Sequence, residues 1–157
     1  MLTVVMPSFY SSELIKKRIK EINKNIEIII IENSKDIFFK NEVEKDFNNV
    51  KVIIPEKNLG WGKAINLGIK EAKTEMVFVT QPDVMLIENC IDKLLECIKT
   101  FRDFSVLTPI DTKSKIFKNY EILNNYPKLK NVNEFNLEEV DYVDLTWLIN
   151  TSKFNDK

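Results

Sequence analysis

The sequence predicts an α/β domain with a mostly parallel sheet flanked by helices. Three observations carry that expectation. Short apolar runs rich in β-branched residues alternate with amphipathic stretches over the first two-thirds of the 157 residues. Several of these runs stop at Pro, Ser, Asn or Asp, residues that favour turns. The order strand, helix, strand, helix requires crossovers, and right-handed crossovers place every strand end on one rim.

Taken in order, Thr3 to Met6 is a short apolar strand closed by Pro7-Ser8. Ser11 or Ser12 caps a helix with Leu14, Ile15, Ile19 and Ile22 on one face. Ile26 to Ile31 is a continuous apolar run broken only by Glu27, as expected of a strand covered on both faces; Glu32-Asn33-Ser34 follows it. Phe39, Val43 and Phe47 mark a second helix, and Val50 to Ile54 a third strand ending at Pro55. Asn58 to Gly62 reads as a glycine-bearing loop that opens a helix carrying Ala64, Ile65, Ile69 and Ala72. Met76 to Thr80 is a fourth strand, Ile87 to Thr100 a helix, and Ser105 to Thr108 a short strand. From Lys113 to Glu139 the chain is rich in Lys, Asn and Glu, which suggests loops with at most one short helix. Val140 to Ile149 reads as a late strand, and Thr151 to Lys157 as a polar tail.

Composition removes whole classes of chemistry. Histidine is absent, which excludes Ser-His-Asp catalysis, imidazole acid–base work and the common zinc ligand sets. A general base must then be a carboxylate, and a metal would rest on oxygen ligands. Lys and Arg number 23 against 24 Asp and Glu, so the chain lacks the basic excess of a nucleic-acid binder, and no nucleic-acid partner is expected. No apolar run reaches the roughly 18 residues of a membrane span, and no signal peptide is expected. Cys90 and Cys97, about 10 Å apart on one helical face, are expected as buried free thiols. A cytoplasmic location follows from that cysteine usage.

Three strand ends hold candidate site residues, each with a plain structural alternative. Glu32 either accepts hydrogen bonds from a base or ribose or is a solvated strand-end charge. The segment from Asn58 to Gly68 combines Gly60 and Gly62 with a helix start and the charges of Lys57 and Lys63. That arrangement suits an anion, and it also suits an ordinary loop-to-helix junction. Gly68 sits inside the helix, at a cost of about 1 kcal/mol relative to alanine, which points to close packing. Asn66 lies two residues before it, directed toward the sheet rim. Asp83, after Gln81-Pro82, either holds a divalent cation on two phosphates or caps the next helix.

Together these segments resemble the family 2 glycosyltransferases. Thr3-Val4-Val5-Met6-Pro7-Ser8-Phe9-Tyr10 looks like their opening strand, hydrophobics followed by P-T/S-Y/F-N. Ile28 to Ser34 is similar to their second strand with its acidic end. Asn58 to Ile69 resembles their N-x-G-x-x-x-A-x-N-x-G-I stretch. Val77 to Leu86 is similar to the strand bearing D-x-D, in the N-P-D-V form of rhamnosyltransferase-like members, with Gln81 in place of the first aspartate.

The resemblance implies a GT-A fold, Rossmann-like, with an incomplete C-terminal acceptor part. Residues 1–110 would be the nucleotide-sugar-binding half, and 111–157 a loop-rich segment with a late strand that starts the acceptor part. It further implies that Pro7, Ser8, Glu32, Asn33, Asn58, Gly60, Lys63, Asn66 and Gln81 bind the nucleotide. Asp83 would ligate Mn²⁺ or Mg²⁺ on the diphosphate. The implied reaction moves a sugar from a UDP- or dTDP-linked donor to the hydroxyl of a glycan or lipid-linked acceptor, with inversion. Peripheral association with a membrane surface is compatible with such acceptors. The family's usual catalytic base has no counterpart before Lys157, and Asp141 and Asp144 are the late carboxylates near a strand. The competing expectation is a nucleotide-binding module without turnover, which Gln81 and the missing base favour.

Overall fold

The structure, a computed structural model, describes residues 1–86, 89–108, 129–132, 135–138 and 146–154, with the backbone alone at 129–132 and 135–138. A six-stranded sheet has the order β3-β2-β1-β4-β8-β5. Its strands are β1 (Leu2–Ser8), β2 (Glu27–Glu32), β3 (Val50–Ile53), β4 (Met76–Val79), β5 (Val106–Leu107) and β8 (Trp147–Asn150). Helices α1 (Ser12–Glu21), α2 (Ile37–Asp46), α3 (Gly60–Glu71) and α4 (Cys90–Thr100) connect them. β1 to β4 pair in parallel, whereas β8 runs antiparallel to both β4 and β5.

The period-2 geometry of the strands divides the apolar residues between two layers. Val4, Met6, Ile28, Ile30, Val52 and Phe78 face one way, against Ile15 and Ile19 of α1, Phe39 and Val43 of α2, and Ile91, Leu94 and Ile98 of α4. Val5, Ile29, Ile31, Val77 and Val79 face the other way, against Ala64 and Ile65 of α3. The β2 run is apolar along nearly its whole length because both layers need it.

Gly68 is where α3 comes closest to the sheet. A Cβ there would overlap the Val5 side chain, with Val5 Cγ2 only 3.2 Å away. The helix therefore lies lower on the sheet than any side chain at that position permits, as the mid-helix glycine suggests.

Several expectations change in detail. Leu14 is exposed, whereas Ile15, Ile19 and Ile22 carry the buried stripe as expected, joined by Arg18. Ser11 occupies the N-cap position of α1 without a side-chain cap bond; its hydroxyl donates to the Phe9 carbonyl, and Ser12 donates to Asp36 instead. Where the sequence suggests at most one short helix, β6 (Leu129–Val132) and β7 (Phe135–Glu138) form an antiparallel ribbon. β7 (Phe-Asn-Leu-Glu) alternates apolar and polar residues, but β6 (Leu-Lys-Asn-Val) does not, so the pairing carries only half of a strand signal amid lysine- and asparagine-rich surroundings. The described part of the late strand, β8, is inserted between β4 and β5, followed by one 3-10 turn at Thr151–Lys153. Cys90 and Cys97 are free; Cys97 is buried and Cys90 half-buried, and burial pushes both thiols up. No helix among the described residues is long and apolar enough to cross a membrane.

Gly68→Ala is expected to lower stability by about 1–3 kcal/mol through overpacking against Val5, read as a shift in the urea midpoint.

Candidate functional site

The strand order reverses at β1: β2 and β3 lie on one side of it, and β4 on the other. In open parallel sheets a crevice opens at such a reversal, beyond the carboxyl ends of the strands. Here β1 and β4 pair only as far as Val5 and Val79, with one further bond from the Thr80 N–H to the Val5 carbonyl at 3.0 Å. β1 continues beside β2 through Pro7 and Ser8, while the chain after β4 turns away. Pro7 thus lies beyond the last β1–β4 pair, where a missing N–H does no harm to that ladder.

One lip of the crevice is a hydrogen-bonded network. Ser8 and Glu32 are register partners at the ends of β1 and β2. Glu32 is 0% exposed, and its carboxylate is fully engaged at the rim. One oxygen accepts from the Ser8 hydroxyl; the other accepts from the Ser34 hydroxyl and from the Ser34 N–H at 2.7 Å. Asn33 donates its N–H to the Ser8 carbonyl at 2.8 Å, and its Oδ1 accepts from the Leu59 N–H at 3.1 Å. That last bond ties the start of α3 to the end of β2. Asn58 Oδ1 accepts from the Gly60 N–H at 2.8 Å, and Gly60 has φ +70°, a backbone value that favours glycine.

The loop after β1 is fastened across to the loop after β2. The Tyr10 N–H donates to Ser34 Oγ at 3.2 Å, and Ser12 Oγ to Asp36 Oδ2 at 3.1 Å. Asp36 also caps α2, accepting from the Phe39 N–H at 2.9 Å. Tyr10 has φ +51° and stands where the resemblance would put asparagine, a residue that tolerates this left-handed region better.

The other lip is the turn after β4. The Val84 N–H donates to the Gln81 carbonyl at 3.2 Å, which closes the turn and leaves Asp83 exposed on it. Arg18, buried on α1, reaches the Val84 carbonyl at 3.4 Å while pairing with Glu21 at 2.7 Å. Lys63 and Asn66 are exposed on α3. Among the described residues no three acidic, histidine or cysteine side chains cluster as a ready metal cage. A cation bridging a diphosphate needs fewer protein ligands, since phosphate oxygens and water supply most of its shell. The exposed Asp83 carboxylate fits that limited role.

The network thus joins Ser8, Glu32 and Asn33 to the Asn58–Gly60 loop, and Gln81 and Asp83 occupy the facing strand end. Ser34, Asp36 and Arg18 are additions that sequence reasoning misses. Asp36 three residues before Phe39 is a readable cap signal. Ser34 and Arg18 have near partners in Glu32 and Glu21, but the contacts that tie them across the rim, to Tyr10 and Val84, are remote in the chain and leave no local signal. Asp141 and Asp144 lie outside the described residues. Two surface grooves, of about 520 and 500 Å³, flank α4 and hold none of these rim residues, nor a convergent set of catalytic groups.

The model of glycosyl transferase family 2 matches residues 3–156. The chain belongs to that family. Among solved structures, S. aureus TarS 1-349 superposes on this family 2 chain with a TM-score of 0.69 at 17% identity, over 99% of this chain and 48% of that one. A mannosyltransferase from Pyrobaculum calidifontis, solved with GDP-Man and Mn²⁺, gives a TM-score of 0.62 at 14% identity, over 76% of this chain and 38% of that one. The fold is therefore GT-A, and the chain spans less than half the length of these structural relatives. No curated protein sequence matches the chain.

Replacing Glu32 with leucine is expected to cost about 2 kcal/mol, because the Ser8 and Ser34 donors lose their acceptor. Ser34→Ala is expected to cost about 1 kcal/mol, both measured by urea unfolding.

Proposed function

We propose that this chain supplies the donor site of a glycosyltransferase that moves a sugar from a UDP- or dTDP-linked donor to a hydroxyl of a glycan or lipid-linked acceptor, in glycan or polysaccharide synthesis. The observation that carries the reading is the reversal of strand order at β1, where open sheets bind ligands, with Ser8 and Asn33 fixed at the ends of β1 and β2 and Asp83 on the turn after β4. The base and ribose lie against the β1–β2 lip, and the diphosphate spans to β4. Asn33, whose Oδ1 is engaged with Leu59, keeps its amide N–H groups as donors for a base carbonyl. Glu32 acts beneath the surface, holding Ser8 and Ser34 in place rather than touching the nucleotide.

Asp83 would hold a Mn²⁺ or Mg²⁺ ion, which when bound supplies charge neutralisation for the diphosphate leaving group. Lys63 and the N-terminus of α3 add positive potential near the same phosphates. Inversion requires a carboxylate on the acceptor side to take the hydroxyl proton as the new bond forms. None of the rim residues described above is assigned to it.

Gln81, standing where the family's first aspartate stands, favours a second reading: a module that binds the nucleotide without turnover. Calorimetry with UDP, dTDP and their sugar conjugates, with and without Mn²⁺, tests both. Metal-strengthened binding is expected, and Asp83→Ala is expected to weaken it about ten- to hundredfold. Failure of every nucleoside diphosphate to bind sinks both readings. Binding with neither transfer nor hydrolysis, in a protein that includes the acceptor part, selects the second.

A further inference from the structure

Beyond the polar lips, an aromatic pair stands at the same rim. Trp61 lies in the first turn of α3 and Trp147 starts β8 as the register partner of Val79, the last residue of β4. Their ring centroids are 5.1 Å apart and their planes meet at 80°. Trp147 is half-buried on the α3 side of the sheet, whereas Trp61 remains 43% exposed. A large aromatic ring left that open, yet held at a set angle by a second indole, is poor economy for packing alone. Gly60 and Gly62 on either side of it have open space where a side chain would stand, so neither neighbour screens the ring. The loop that carries Trp61 is itself anchored to the opposite lip through Leu59 and Asn33. Trp147 adds one more oddity: its buried Nε1–H has no hydrogen-bond partner among the described residues.

The sheet order gives the pair its position relative to a ligand. Base at β2 and β1, and phosphates at β1 and β4, place the next group of the donor toward β8. Three strand spacings, about 14 Å, separate β2 from β8. Resting on the donor-site reading above, we propose that Trp61 is a specificity-determining residue for the donor sugar. Its exposed ring face stacks on a hexopyranose, and Trp147 sets the angle of that face. A pyranose with adjacent C–H bonds on one face suits an indole, whose π surface favours such polarised hydrogens. A nucleoside diphosphate without the sugar gains nothing from it.

The chain's two tryptophans are this pair, so indole emission reports on it directly. UDP-glucose or dTDP-rhamnose is expected to quench or shift that emission, and UDP or dTDP alone to leave it unchanged. Trp61→Ala is expected to weaken sugar-nucleotide binding about tenfold relative to the bare nucleotide, with Trp61→Phe staying within about threefold of wild type. An exposed position on the helix surface leaves both variants folded, checked by thermal unfolding. Equal losses for sugar nucleotide and bare nucleotide, or no loss for either, overturn the inference and leave the donor site standing. A wild-type protein that binds neither ligand overturns the donor site and this inference together.

Discussion

A carboxylate shut off from water holds the rim of this protein together. Glu32 ends β2 with no solvent access, and its two oxygens take donors from β1 and from the loop after β2. Burying an unpaired carboxylate is costly, so the network either forms whole or not at all. The bonds from Asn33 to the Ser8 carbonyl and to the Leu59 N–H extend it to the start of α3. Three chain segments far apart in sequence are thereby fixed at one edge of the sheet, with the polar cluster seated on two fully buried apolar layers.

The reversal beside that cluster is a product of topology more than of any side chain. β1 has β2 on one side and β4 on the other, and the two neighbours part company at different heights. The turn carrying Asp83 is held by Arg18 from α1, which links the two lips through the helix between them. Gly68 matters from below: by letting α3 press onto Val5, it sets how far the start of that helix stands from the rim.

Most of the parallel core was readable from the chain, because each strand there needed two apolar faces and each helix needed one. Ile28 to Ile31 and Met76 to Val79 admit few other readings. The strand ends drew notice for a related reason: Ser8, Glu32 and Asn33 are polar residues that abruptly follow buried runs. Their mutual arrangement was not readable, since it depends on the β1–β2 register. Glu32 reads in sequence as either a ligand acceptor or a solvated strand-end charge; it is buried and accepts from two serines, which rules out the solvated reading. The β6–β7 ribbon carries little signal, because four-residue strands with two apolar positions each differ little from loop composition. Leu14 shows the opposite case: it sits about 100° round α1 from Ile15 and so falls off the stripe formed by Ile15, Ile19 and Ile22.

The place of β8 bears on how the chain reaches this state. Among the described residues, β4, Met-Val-Phe-Val with all four residues buried, has β8 as its one outer strand neighbour, and β5 has no strand partner except β8. Some forty positions of chain separate β5 from β8. A nascent polypeptide on the ribosome thus carries a sticky, unshielded β edge from the time β4 emerges until residue 150 has left the exit tunnel. Folding of the first four strands alone leaves the β4 edge open to pairing with a neighbour, and β8 closes that side.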